Sequence, residues 1–423
     1  MSVSLVAERS TSASLGLVNG LARRVLTDRL RDLRGGQITL VDEAGETSLG
    51  RDADLQATLT VRDNRFFRHA VLGGSLSLAE SYLRGQWDCD DLTALFRIFL
   101  RNLDATDQMD RGPSRAFKLV NRLYHRWHAN SREGSRRNIH AHYDLGNDFF
   151  RLWLDETLAY SSGIFLTPTS TLYDASVEKI DRVCRKLDLK PSDHLLEIGT
   201  GWGGLALHAA VKYGCRVTTT TISQQQFDVA QQRITEAGLS DRVTLLLQDY
   251  RDLTGQFDKL VSIEMIEAVG HRYFDTYFGK CSELLKPNGS FVLQGIVMPD
   301  RRYAQYLKSV DFIQRYVFPG GCLPSMGSMF ESITRATDLR FVHAEDFGTH
   351  YAETLRHWRR GFHERLDDVR ALGYPDRFIR LWDYYLGYCE AAFDERYTGV
   401  VQIQFDKPLC RRDPIGIGQR AAQ

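Results

Sequence analysis

Four glycines fall within nine residues of LEIGTGWGG (Leu196–Gly204): Gly199, Gly201, Gly203 and Gly204, just after an apolar run that carries Glu197. Glycines at a strand-to-helix turn let the backbone bend sharply and approach a ligand closely. A dinucleotide site needs GxGxxG and an acidic residue about 20 positions further on. GTGWGG breaks that spacing, and the next apolar run ends in TTTTISQQQ with no acid. The loop therefore favours a nucleoside ligand without a pyrophosphate, such as S-adenosylmethionine. Gln248-Asp249-Tyr250, at the end of the third apolar run, suit an adenine amino group and ring. Thr221 and Gln226 suit the ribose hydroxyls. The bland reading of Asp249 is a turn or helix cap.

The elements that must position these groups read as alternating strands and helices. His194–Ile198, Arg216–Thr221, Val243–Leu247, Lys259–Ile263 and Ser290–Leu293 are strand runs, and Leu205–Tyr213 and Phe227–Ala237 are helical. The order predicts βαβ units and a doubly wound, mostly parallel, Rossmann-like sheet. After Met298 the chain reads as helical and aromatic, with Phe312, Tyr316, Phe318, Trp358, Phe362, Phe378, Trp382, Tyr384, Tyr385 and Phe393. Aromatics at such spacing are more often core than a ligand box; here they can also form a helical cap, about 301–400, over the ligand edge of a catalytic domain spanning 139–423. Upstream, residues 1–110 read as a small α+β domain, with strands at Gln37–Val41 and Leu55–Val61 and helices at Leu76–Leu83 and Leu92–Leu100. Between them, 111–138 holds eight lysines and arginines against Glu133 alone, with Phe117, Val120, Leu123, Tyr124 and Trp127 at helical spacing. Such a basic amphipathic helix can lie on anionic lipid. A linker helix docked on the interdomain surface explains the same pattern.

The chain has 423 residues, 54 basic and 54 acidic side chains and a net charge of zero, which argues against a dedicated nucleic-acid binder. Seven cysteines with no CxxC pair argue against a disulfide scaffold or zinc ribbon, and no metal-ligand spacing is present. No apolar run reaches a membrane span, and Glu8 and Arg9 precede any signal-like stretch. A cytoplasmic enzyme is expected.

Seven motifs in order, YDLGNDFF (Tyr143–Phe150), AYSSGIF (Ala159–Phe165), LEIGTGWGG, TISQQQ (Thr221–Gln226), LQDYRDL (Leu247–Leu253), EMIEAVG (Glu264–Gly270) and FPGGCLPS (Phe318–Ser325), make the chain resemble the cyclopropane-fatty-acyl-phospholipid synthase family. The match extends through YYLGYCEAAF (Tyr384–Phe393). The resemblance implies methylene transfer from S-adenosylmethionine to a double bond of acyl chains in membrane phospholipids. It also implies a peripheral location at the inner membrane surface and a homodimer. It assigns Tyr160 and Ser161 to the methionine part of the cofactor and Gly199, Thr200, Gly201, Trp202 and Gly203 to its backbone contacts. Thr221 and Gln226 fall to the ribose, and Gln248 and Asp249 to adenine. Glu267 joins a catalytic network with Tyr351, and Cys389 matches a cysteine assigned to the active site. A thiolate there would itself be alkylated by a sulfonium or a carbocation, so a packing role for Cys389 competes with the catalytic one.

Two positions depart from the family. Ser162 and Gln294 stand where many members have a cysteine and a histidine that help cradle a bicarbonate ion, the base of the reaction. Serine keeps a backbone amide, and glutamine can donate a hydrogen bond but cannot shuttle a proton. Retention of bicarbonate is therefore open, and Glu264 and Glu156 are the spare carboxylates that could replace it. The bland readings are a salt-bridged helix residue for Glu264 and a helix-end carboxylate for Glu156. The base decides the product. Proton loss from the added methyl closes a cyclopropane, whereas a hydride shift followed by proton loss leaves a methylene-branched chain, the precursor of methyl-branched or furan-type fatty acyl chains.

Overall fold

A strand buried on both faces is largely apolar, and HLLEI (His194–Ile198), with Leu195, Leu196 and Ile198 buried and Glu197 the one buried polar side chain, is an interior strand of the larger of two sheets. The computed structural model describes residues 2–51, 54–103 and 146–412, with side chains from residue 16 onward. The basic segment 111–138 lies outside the described residues. The described chain divides into two compact units, one built on residues up to 103 with 309–312 and 370–395, the other on 146–308, 313–369 and 396–412.

The first unit holds a four-stranded sheet: β1 (Gln37–Asp42), β2 (Gly45–Gly50), β3 (Gln56–Val61) and β4 (Trp87–Cys89), in the order β2-β1-β3-β4. Alternation buries Ile38 and Leu40 on one face of β1 and Ala57 and Leu59 on the same face of β3. The expected strands are β1 and β3. Strands β2 and β4 escape a pattern reading because GETSLG offers one large apolar residue and WDC spans only three positions. The helix Asp376–Asp394 also belongs to this unit. Arg380 binds it there, donating to the Tyr82 carbonyl at 2.6 Å, the Trp87 carbonyl at 2.6 Å and Asp88 at 2.8 Å, with its guanidinium 3.9 Å from the Tyr82 ring centre. Tyr384 packs against Phe96 and Phe312. The stretch 301–400, expected as a single cap, is thus shared between the two units.

The second unit carries β5 (His194–Ile198), β6 (Arg216–Thr221), β7 (Val243–Leu247), β8 (Phe257–Ile263), β9 (Leu285–Val297), β10 (Arg340–Asp346) and β11 (Gly399–Asp406). Their order is β10-β11-β9-β8-β5-β6-β7, parallel from β9 to β7, with β10 and β11 antiparallel at one side. This is the doubly wound sheet expected. The two antiparallel strands correct the reading of everything after Met298 as helical. In β11, GVVQIQFD, the buried Gln402 and Gln404 interrupt an apolar run, and a buried strand bearing glutamines looks neither amphipathic nor apolar. One face of the sheet packs Phe274, Phe278, Phe291 and Phe405, the other Ile180, Val183, Ala206 and Val217. Strands β5, β6 and β7 end at the glycine loop, Thr221 and Leu247, and β8 ends at Ile263, just before Glu264. These carboxyl ends are where open α/β sheets place ligands.

Candidate active site

The glycine loop is built for close approach. Gly199, Gly201 and Gly203 have φ of +102°, +53° and +88°, the left-handed region that side chains disfavour. A Cβ on Gly201 would meet nothing within 4 Å, so the backbone there faces open space. The loop is pinned from behind by the amides of Gly199 and Thr200, which donate to the Thr220 carbonyl at 3.0 and 3.1 Å. Thr219 donates to Glu197 at 2.6 Å, and burial pushes the Glu197 carboxyl up to about 8. Trp202 is 3% exposed, and its indole N–H donates to Asn147 at 2.7 Å, which fixes the ring. Thr221 donates to the Gln226 side chain at 3.0 Å. Gln248 donates to the Asp252 carbonyl, and Asp249 accepts from the Arg251 amide and pairs with its guanidinium at 2.6 Å. The turn-cap reading of Asp249 therefore holds. It orients the carboxylate at the end of β7.

An aromatic basket stands beside the loop. The Tyr160 ring lies 5.2 Å from Trp358, 5.3 Å from Phe150, 5.7 Å from Trp153 and 6.3 Å from Phe318, measured between ring centres. Trp202 and Tyr351 extend it through Phe150 and Trp358. Faces of such rings attract positive charge, and their bulk excludes water. Ser161 accepts from the Lys179 ammonium at 2.8 Å, and Lys179 is 2% exposed. Burial lowers the Lys179 pKa, opposed by the charges of Glu264, Asp155 and Glu197.

The decisive cluster surrounds Glu264. It is not a helix residue. It follows β8 directly, with φ +47°, and its amide donates to the Gln294 carbonyl at 2.8 Å. This left-handed turn folds the side chain back into the unit. There Oε1 accepts from the Ser162 amide at 3.0 Å and from Gln294 Nε2 at 2.7 Å, while Oε2 accepts from the Tyr351 hydroxyl at 2.7 Å. Desolvation raises the Glu264 pKa, and those three donors and Lys179 oppose the rise. Glu267, one turn on, is treated differently. Its Oε1 accepts from the Ile296 amide at 2.6 Å, and its buried Oε2 has no hydrogen-bond partner among the described residues. Desolvation, then the Glu264 charge, push Glu267 up to about 8, so it holds a proton at neutral pH. Burial pushes both carboxyls upward, and Glu264 alone of the two has three side-chain and amide donors plus Lys179 opposing the rise, which is the environment of a proton acceptor.

Several expectations change here. Tyr351 serves Glu264, not Glu267. Ser162 and Gln294 converge on a carboxylate of the chain itself, Glu264. Glu156 is solvent-exposed, with its carbonyl bound by Arg233, and lies on no such cradle. Cys389 sits on the helix Asp376–Asp394 of the first unit, and burial drives its pKa upward, which keeps it a thiol. Asn147, Lys179 and Trp153 carry no sequence-level assignment, and Trp358 was expected only among the aromatics of the cap. A lysine on the apolar face of Leu172–Leu187 was the one available signal for Lys179, because a buried lysine needs a partner. Among the described residues, no helix is long and apolar enough to cross a membrane, and no group of three His, Cys, Asp or Glu could hold a metal.

The family described as Mycolic acid cyclopropane synthetase matches residues 130–403. The chain belongs to this family. It is 36% identical over 398 residues to the tuberculostearic acid methyltransferase UfaA1 of Mycobacterium tuberculosis, covering 92% of this chain and 91% of that protein. It is 37% identical over 365 residues to the cyclopropane-fatty-acyl-phospholipid synthase of Escherichia coli K12, covering 83% and 88%. The structure of the cyclopropane synthase MmaA2 from Mycobacterium tuberculosis superposes with a TM-score of 0.60 at 30% identity, covering 64% of this chain and 98% of that one. This mycolic acid cyclopropane synthetase family member is an S-adenosylmethionine-dependent methyltransferase, and the open glycine loop fits that cofactor. Bicarbonate does not fit. The donors that the resemblance assigns to it are engaged by Glu264.

Proposed function

We propose that this enzyme adds a methylene bridge across the double bond of unsaturated acyl chains in membrane phospholipids, with Glu264 as the proton acceptor. The observation that carries the reading is the Glu264 carboxylate, held by three donors beside an aromatic basket in a member of this family. Bound S-adenosylmethionine supplies an electrophilic methyl carbon. Gly199, Thr200, Gly201, Trp202 and Gly203 would hold it from the loop, Tyr160 and Ser161 from the basket side, Thr221, Gln226, Gln248 and Asp249 at the nucleoside. An alkene is a weak nucleophile, so the residues must exclude water and stabilise the cation that forms on the acyl chain. The Tyr160 and Trp358 rings suit the cation, and Glu267, carrying its proton, adds no second fixed charge beside Glu264. Glu264 then takes a proton from the added carbon as the ring closes.

Action on a bilayer at its inner surface fits the basic amphipathic pattern of 111–138. Replacing Trp127 and its neighbouring arginines is expected to weaken binding to anionic liposomes and leave cofactor affinity unchanged. A second reading, C-methylation without ring closure, is favoured by the name of the relative UfaA1, a methyltransferase rather than a cyclopropane synthase. Proton NMR of lipid recovered after incubation with S-adenosylmethionine and monounsaturated phospholipid liposomes separates the two. Upfield cyclopropane methylene protons support ring closure. Vinyl protons of a methylene branch support the second reading, and unmodified lipid refutes both.

A further inference from the structure

A line of side chains crosses the sheet from the edge strand to Glu264. Glu345 on β10 pairs with Gln402 on β11, and Gln402 with Gln294 on β9, so all three share one face. Gln294 and Gln402 are fully buried. Gln294 Nε2 donates to Glu264, Gln402 Nε2 donates to Gln294 Oε1 at 2.9 Å, and Lys186 Nζ donates to Gln402 Oε1 at 2.7 Å. Lys186 is 3% exposed and also donates to Glu345 at 2.7 Å. It lies two helical turns from Lys179 on Leu172–Leu187, so one helix face sends an ammonium to each end of the line.

The direction of the chain is not arbitrary. An amide presents a donor at one end and an acceptor at the other, and either end can face a given neighbour. An ammonium has donors only. Its contact forces Gln402 to turn its oxygen toward Lys186 and its nitrogen toward Gln294, which forces the Gln294 nitrogen toward Glu264. A donor facing Glu264 favours the ionised carboxylate. Without that polarity, Gln294 can flip and present its oxygen, which only a protonated Glu264 could meet.

We propose that Lys186 and Gln402 are positioning residues that set the direction of this amide chain and so keep Glu264 a proton acceptor. The proposal rests on Glu264 being the base. The other groups facing Glu264 are Tyr351, Lys179 and Glu267. Those around Lys186 are Glu345, Arg182, Arg185 and His343, with Arg412 on its backbone carbonyl. Burial lowers the Lys186 pKa, and the hydrogen bond and charge of the Glu345 carboxylate oppose that fall.

The test is the pH profile of kcat/KM for the full chain with S-adenosylmethionine and monounsaturated liposomes. In Lys186→Met the acid limb is expected to move up by about one pH unit, on the order of a tenfold loss of rate below the limb. Above it the rate recovers toward wild type. Lys186→Arg keeps a donor-only group and is expected to keep the wild-type limb. Gln402→Leu interrupts the chain at another point, is expected to move the limb the same way, and carries the test if Lys186→Met does not fold. An unmoved limb, or a loss equal at every pH, overturns the proposal. Glu264→Gln tests the underlying reading separately. If it is inactive while the Lys186→Met limb stays put, the chain is refuted and the base survives; if it is active, the base itself is refuted.

Discussion

Glu264→Gln removes a base while leaving its surroundings almost intact. The amide oxygen can occupy the Oε1 position and keep the donors from Ser162 and Gln294, while its nitrogen takes the Oε2 position. There the Tyr351 hydroxyl can rotate to accept instead of donate. Fold and cofactor affinity are therefore expected to survive. A positioned general base contributes about 10²–10⁴ in rate, or about 2.7–5.4 kcal/mol of barrier. Turnover is expected to fall by that factor, measured as lipid product by proton NMR at saturating S-adenosylmethionine. Glu264→Gly sharpens the test. Its φ of +47° suits glycine, which relieves roughly 1–2 kcal/mol of backbone strain. It also frees the Ser162 amide, the Gln294 amide nitrogen and the Tyr351 hydroxyl together. Added bicarbonate is expected to restore part of the activity of Glu264→Gly and to leave Glu264→Gln unchanged. Wild type is expected to work in carbon-dioxide-free buffer. Near-normal turnover by Glu264→Gln, or a wild type that needs bicarbonate, would refute the assignment.

Other expectations follow from the same geometry. The Glu267 pKa is raised from 4.5 to about 8, so its contribution to stability is complete below the lower value and lost as pH rises through the upper one. The loss is on the order of 5 kcal/mol for a shift of that size. Thermal unfolding from pH 5 to 9 is expected to decline less steeply in Glu267→Gln than in wild type, and equal slopes would contradict the shift. Gly201→Ala puts a Cβ into the open space of the loop at φ +53°. Calorimetry is expected to show at least a tenfold weaker S-adenosylmethionine affinity, and unchanged affinity would move the cofactor off this loop. Asn147→Ala strands the Trp202 indole N–H. A lower urea midpoint, equivalent to about 1–3 kcal/mol, is the expected result.

Residue spacing alone was enough to read β5, β6 and β7 and the glycine loop, because each depends on local pattern: buried apolar runs, and glycines where φ turns positive. The seven motifs carried the family. What the sequence could not settle was partnership. Glu264 looked like one spare carboxylate among two, and a helix residue on its bland reading. Only the pairing of β8 with β9, and the left-handed turn after it, bring Glu264 onto Gln294, Ser162 and Tyr351, which are far apart along the chain. Gln402 and Lys186 were silent for the same reason. A buried glutamine in a strand is costly until a cross-strand partner accepts it, and that partner is chosen by register, not by neighbours in sequence. The helix Asp376–Asp394 reads as part of a catalytic cap by its aromatic spacing, yet Arg380, Thr93 and Glu390 tie it to the first unit. Periodicity shows that a helix has an apolar face; tertiary contacts alone decide what that face meets.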